Sequence, residues 1–469
     1  ARMAESLAAA GASGAVAAPP VTAVAERPER VPLSYAQRRL WFLDRLEGPG
    51  AAYNIPVALR LEGELDPAAL ESALGDVVER HESLRTVFEQ VDGDPYQRIL
   101  PVESALPDLR VEVIDGADVA ARVDALARET FDLESEPPLH TTLLEVGPAE
   151  HVLVLVVHHI AGDGWSMAPL LRDLSAAYTA RLNGEVPGWA PLAVQYADYA
   201  LWQDGLLADG EGAIPGQLAH WSGVLADLPD VLELPVDRAR PARPSHRGGV
   251  APVALPADLH RDLLALARRH DATLFMVLQA ALAATLTRMG AGTDIPLGTP
   301  VAGRADEALE DLVGFFVNTL VLRTDTSGDP SFADLLGRVR ERTLADLEHQ
   351  DVPFDRLVEV LNPVRSTAHQ PLFQVMVALQ NNARADLDLP GLSVSEVPFS
   401  TGTAKFDLTF VLAEEYGPDG EPLGLGGGLE YAADLFDAET AAALVERLGR
   451  VLAAAAADPG ARVRDIPLL

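Results

Sequence analysis

Two adjacent histidines, His158 and His159, close an apolar run, and a Gly-Asp-Gly turn follows at once: "VLVLVVHHIAGDGWSMAPLLRDL", residues 152–174. The chain has 11 histidines, so a pair at this position calls for a reason. Successive side chains of a strand point to opposite faces. If the strand runs on through the motif, His158 and His159 diverge, one towards the core and one towards a cavity. They cannot then share a metal ion, and no zinc site is expected. Gly162 and Gly164 permit positive φ and close backbone approach. Asp163 stands just before a helix whose first turn is Gly164-Trp165-Ser166, and helix N-termini carry free N–H groups and a positive dipole end. An imidazole to handle a proton, beside backbone donors to hold an oxyanion, is an acyl-transfer arrangement. The bland alternative is a helix cap next to a buried, hydrogen-bonded histidine.

Other chemistry is thinner. The chain has no cysteine, which removes disulfides, thiolate catalysis and Cys-ligated zinc together. "GWSMA" departs from the Gly-x-Ser-x-Gly nucleophile elbow at Ala168, so Ser166 reads as a helix-start residue. "GLGGG" at 424–428 does not complete Gly-x-Gly-x-x-Gly and reads as a loop or hairpin. A net charge of −34 argues against a nucleic-acid partner, which needs a basic footprint. No apolar run reaches the ~18 residues of a membrane span. The absence of cysteine suits a reducing cytoplasm. The start "ARMAESLAAAGA" lacks both a signal-peptide pattern and an initial Met, so a piece of a longer polypeptide is expected.

These residues need elements to position them. At 469 residues the chain is long for one core, so two lobes are expected. Residues 1–11 read as a short helix and the Ala/Pro/Gly-rich stretch after it as a linker, up to residue 30. Helices are predicted over "SYAQRRLWFLDRL", with Ser34 as cap, over "DPAALESALGDVVERHESL" and after the motif. Strands are predicted at "AAYNIPVALRLEG", "RTVFEQV", "HTTLLEV" and "HVLVLVV". That gives a first lobe over 31–205. A loop-rich connection spans 206–248, and a second lobe runs over 249–469. The second lobe has strands at "APVALP", "DIPLGTPVAG" and "FFVNTLVLRTD" and helices at "LHRDLLALARRH" and "TLFMVLQAALAATLTRMG". The fold class is α/β (α+β) in two lobes.

Seven motifs in order resemble condensation domains of nonribosomal peptide synthetases, over residues 31–469. They are "SYAQRRLWFL" (34–43), "RHESLRTVF" (80–88), "HHIAGDGWS" (158–166), "YADYALWQ" (196–203), "VGFFVNTLVLR" (313–323), "HQDVPFDRLVE" (349–359) and "RSTAHQPLFQVM" (365–376). The resemblance implies two chloramphenicol acetyltransferase-like lobes, a V-shaped pseudo-dimer with a tunnel between them. Donor and acceptor substrates enter on the 4'-phosphopantetheine arms of upstream and downstream peptidyl carrier domains, with no cofactor bound directly. An adjacent adenylation domain is a further implied partner, and residues 1–11 resemble the tail of a carrier domain. His159 matches the catalytic position and His158 a more structural one. Asp163 matches a residue that pairs with an arginine, here Arg304. Gly164 matches the position whose N–H lies near the reacting carbonyl. Gly162, Trp165, Ser166 and Asn318 are expected along the tunnel.

The implied reaction is amide formation, attack of the acceptor α-amine on the donor thioester. His159 either takes the proton or orients the amine. The patterns "HHIAGDGWSMAPL" and "GTPVAGRADEALEDLVGFFVNTLVLRTD" resemble domains that take a D-configured donor. An L-donor domain, an epimerisation domain and a coenzyme A-dependent acyltransferase are the enzymatic alternatives. A non-catalytic recruitment domain is the alternative from a different class, and relatives of that kind typically lose the second histidine.

Overall fold

A computed structural model describes residues 18–210, 212–364, 366–380 and 387–468. The expected helix over residues 1–11 lies outside them. The fold is mixed α/β, with strands and helices in both halves of the chain.

The first half builds a sheet around the strand Glu150–His158. It pairs antiparallel with Asn54–Gly63 on one side and Leu139–Gly147 on the other, and Leu109–Val113 extends the sheet parallel to the latter. Every residue from His151 to His158 is buried. That explains a continuous apolar run where a half-exposed strand would alternate. The helices Pro67–Arg80 and Met167–Leu182 pack together over this sheet, with Leu70, Val77, Leu171 and Leu174 in one core.

The second half builds a six-stranded sheet from Asn318–Asp325, Asp294–Val301, Val375–Gln380, Leu408–Tyr416, Pro422–Ala432 and Gly248–Pro256, in that order. Its core takes in the helix Leu274–Arg288, which is buried from Met276 to Leu286, mostly as alanine and leucine. One segment crosses over. Leu392–Glu396 leaves the second half and adds antiparallel to Asn54–Gly63 as the edge strand of the first sheet. The two halves of the sequence therefore share a sheet as well as an interface.

Three expectations need correction. The stretch 206–248 is not uniformly loop: Tyr196–Ala208 runs into it, and Ala213–Val224 is a helix whose Trp221 is fully buried. Its two glycines and one proline hid an apolar stripe that packs against Phe354, Leu357 and Val352. "GLGGG" is no loop but lies inside the strand Pro422–Ala432, the second arm of a hairpin with Leu408–Tyr416, so the hairpin alternative is the one that holds. A Cβ on Gly427 would sit 2.1 Å from the carbonyl oxygen of Val411, so only glycine lets these strands pair here. Finally, Phe315-Phe316-Val317 are not strand. Pairing starts at Asn318, because the amides just before it serve another partner.

Candidate active site

The histidine pair sits where the central strand stops. His158 is the last paired residue, opposite Asn54, and the His159 amide donates to the carbonyl of Tyr53 at 2.8 Å. Their environments then separate. His158 is buried against the edge of Phe131, and its Nδ1 accepts from the Ile160 amide at 3.1 Å. That bond leaves its proton on Nε2. Burial pushes its pKa down to about 3, helped by the charge of Lys405, so it is a neutral structural group.

His159 keeps part of its surface open to solvent, yet it sits deep enough that its surroundings are mostly protein. That depth holds its pKa well below the usual imidazole value, and the Lys405 charge adds to the effect. Backbone groups of His159 and Gly162 oppose it weakly. Its ring meets Phe315 edge to face at 4.6 Å, and its Nδ1 is buried with no well-formed hydrogen bond among the described residues. A neutral imidazole with part of its surface open is what proton transfer or amine binding requires.

The turn after the pair is held by its acid. Neither Gly162 nor Gly164 uses a positive φ, contrary to expectation. Gly162 instead allows close packing, since a Cβ there would lie 3.2 Å from Val157. Asp163 is fully buried and caps a 3-10 turn, Gly164–Ser166, that leads into the helix Met167–Leu182. Its Oδ1 accepts from the Ser166 amide at 2.9 Å and from Arg304 Nη2 at 3.3 Å. Its Oδ2 accepts from the amides of Phe316 and Val317 at 2.9 and 3.1 Å. One carboxylate thus ties the histidine turn to a segment of the second half. Gly164 is exposed and Trp165 half-exposed, and neither amide has a partner among the described residues.

Ser166 repeats the tie. Its Oγ accepts from the Gly314 amide and from Arg304 Nη2, at 3.1 and 2.9 Å, and lies 2.8 Å from both the Gly314 carbonyl and Asp163 Oδ1. Arg304 also donates to the carbonyls of Leu309 and Leu312 and lies over the Phe316 ring at 4.3 Å. From the first half, Ser83 donates to the Val313 carbonyl at 2.7 Å and Tyr196 to the Phe315 carbonyl at 2.7 Å. The segment 313–317 is gripped along its length, which fixes Phe315 against His159. Asn318, expected along a tunnel, spends both amide hydrogens on the carbonyls of Gln350 and Val352. Its oxygen accepts from Thr319 and Phe354.

The motif reading did not reach three residues around the imidazole: Tyr53, Phe315 and Lys405. Phe315 stands inside a quoted motif, but its ring contact depends on how the loop is held. Lys405 carried one readable signal, being the only lysine in the chain. A cavity of about 800 Å³ opens between the helix Tyr35–Glu47 and loops of the second half, and Arg39, Asp355, Lys405 and Phe406 line it. His159 is not on this wall. Lys405 connects the two, since it lines the cavity and acts electrostatically on both histidines. Among the described residues, no cluster of three or more His, Asp or Glu is placed to hold a metal, and no helix is long and apolar enough to cross a membrane.

The family model for the Condensation domain matches residues 28–469. The chain is a condensation domain. It is 56% identical over 448 residues to a dimodular nonribosomal peptide synthase of Bacillus subtilis (strain 168), covering 95% of this chain and 19% of that protein. The chain thus spans about a fifth of that relative. Among solved structures it superposes on the X-domain from teicoplanin biosynthesis with a TM-score of 0.91 at 41% identity, over 96% of this chain and 100% of that one. It also superposes on the first condensation domain of the calcium-dependent antibiotic synthetase, in complex with a substrate analogue. There the TM-score is 0.76 at 25% identity, over 95% of this chain and 100% of that one.

Proposed function

We propose that this condensation domain forms a peptide bond between two carrier-borne substrates. The acceptor's α-amine attacks the donor's thioester carbonyl. A C–N bond forms, the C–S bond breaks, and one proton leaves the nitrogen and ends on the departing phosphopantetheine sulfur. Thioester aminolysis is downhill, so no acyl-enzyme is required. Holding both reactants in one site supplies much of the rate, up to ~7–11 kcal/mol in well-oriented intramolecular cases.

The observation that carries this reading is His159, a neutral imidazole at the end of the central strand, partly open and packed against Phe315. It accepts the proton or holds the amine by a hydrogen bond. The free amides of Gly164 and Trp165 at the start of the turn supply donors for the developing oxyanion. Asp163 and Arg304 position the turn and take no part in the chemistry. The donor is D-configured in this reading, on the motif patterns around the histidines and Arg304. Upstream and downstream carrier domains and a neighbouring adenylation domain are its partners.

A second reading is a recruitment domain that binds a partner protein without catalysis. The high similarity to an X-domain favours it. The intact second histidine favours catalysis. The test loads upstream and downstream carriers with defined groups, D or L at the donor, and detects the amide by mass spectrometry. Wild type is expected to form product faster from the D-donor. His159→Ala is expected to stay folded and lose about 10²–10⁴-fold in rate. A folded, fully active H159A refutes the role of His159. A wild type that makes no amide from any pair supports recruitment.

A further inference from the structure

His81 is a buried histidine that the condensation reading leaves without a task. It follows the helix Pro67–Arg80 in the motif "RHESLRTVF" and is 1% exposed. Its Nε2 lies 2.9 Å from Asp173 Oδ2, and its Nδ1 accepts from the Val313 amide at 3.3 Å. An amide donor at Nδ1 requires a lone pair there, so the ring proton sits on Nε2 and donates to Asp173. Burial also lowers its pKa, against the pull of Asp173, which keeps the ring neutral. Asp173, on the helix Met167–Leu182, is anchored in turn by Arg80 Nε at 2.7 Å and by Arg172 Nε at 3.2 Å. The imidazole is therefore held in one tautomer and one orientation.

Val313 is where the second half of the chain meets this ring, 232 residues further on. The Val313 carbonyl accepts from Ser83 Oγ at 2.7 Å, so one motif holds both backbone polar groups of that residue. Two residues later stands Phe315, whose ring meets the His159 ring at 4.6 Å. His159 Nδ1 has no well-formed hydrogen bond among the described residues, so the presentation of that imidazole leans on packing. In a catalytic triad the carboxylate orients the reactive histidine directly. Here a His–Asp pair stands one layer back, behind the segment that packs on the reactive ring.

We propose that His81 is a positioning residue of the condensation site: by holding the Val313 amide it sets Phe315 against His159, and so fixes how that imidazole is presented to the reactants. This rests on the condensation reading given above. Two substitutions separate the two bonds of His81. Asn places an oxygen where Nδ1 stood and can still accept from Val313, but does not reach Asp173. Gln places an amide where Nε2 stood and can still donate to Asp173, but offers the Val313 amide nothing. A merely structural histidine predicts that both substitutions act through stability alone.

The test compares wild type with H81N, H81Q and F315L in the full chain, each checked by thermal melting. H81Q is expected to lose about tenfold in kcat at nearly unchanged KM, the cost of a slightly misplaced group, and H81N to stay within about threefold of wild type. A second readout needs no turnover: the NMR shift of the His159 ring C–H in protein with labelled histidine, which senses the ring current of Phe315. F315L gives the value without that ring. H81Q should move towards it, and H81N should stay near wild type. Should neither His81 variant fold, S83A carries the test, because it frees the Val313 carbonyl and should shift the signal in the same direction. An unmoved His159 signal in whichever of H81Q and S83A folds, or equal rate losses in H81N and H81Q that track their melting temperatures, overturns the proposal. A wild type without any amide product fails the condensation reading instead, and the NMR shift still judges His81.

Discussion

The two sides of the site differ in how their polar atoms are used. On one side lie Asp163, Ser166, Arg304 and the segment 313–317, where nearly every donor meets an acceptor across the two halves of the chain. On the other lie His159 and the amides of Gly164 and Trp165, with unspent capacity among the described residues. Buried polar groups are normally satisfied, and exceptions need a cause. The satisfied side holds the halves together. The unsatisfied side is where a substrate has something left to bind. The contrast falls within eight residues, from His159 to Ser166.

Asp163→Ala tests the satisfied side most severely. It strands the Arg304 guanidinium and the amides of Ser166, Phe316 and Val317. Breaking a buried pair of this kind costs about 3–5 kcal/mol. Chemical denaturation should show that loss, with poor expression as the accompanying sign. A D163A protein as stable as wild type would mean the carboxylate is not what joins the halves.

The next test uses pH. His158 titrates at about 3 in the fold and near ~6.5 when unfolded, so the unfolded chain binds its proton first as pH falls. Stability from this group is complete above about pH 6.5 and is lost as pH falls towards 3. The loss reaches about 3 kcal/mol by pH 4. His158→Asn offers an oxygen to the Ile160 amide and does not titrate. The variant should therefore lose less stability than wild type between pH 7 and 4, as read from urea midpoints. Parallel losses in the two proteins would place the acid sensitivity elsewhere.

Much of this was legible in the sequence. Ser34 marks the start of a capped helix, and the structure completes the cap with Gln37 in a capping box. The unbroken run before His158 marked a buried strand, and Asp163 paired with Arg304 follows from residue types once the family is seen. What escaped depends on distance in sequence. Nothing near Leu392–Glu396 says that it joins a sheet more than 300 residues upstream, because an edge strand of alternating polarity fits many partners. Phe315 looked like strand because aromatic and β-branched neighbours favour strands. The loop forms because Asp163 claims its amides, a tertiary bond that local propensity cannot register. Lys405 was visible only as a rarity, since the wall it lines is assembled from both halves.

Ser166→Ala gives the smallest effect and sharpens the contrast at its boundary. The hydroxyl has one hydrogen for two acceptors, Asp163 Oδ1 and the Gly314 carbonyl, and accepts from Arg304 and the Gly314 amide. Removing it leaves the Gly314 groups and the Asp163 amide, which also donates to it, without their partner, at about 1–3 kcal/mol. Arg304 still reaches Asp163, so the halves should stay joined. The segment 313–317 should loosen, and with it the hold of Phe315 on His159. The variant should therefore fold, show faster amide hydrogen exchange at Gly314, and keep condensation activity within about tenfold, the cost of a partly misplaced base. A folded S166A with no activity at all would move Ser166 to the reactive side as a nucleophile and require an acyl-enzyme that mass spectrometry can detect.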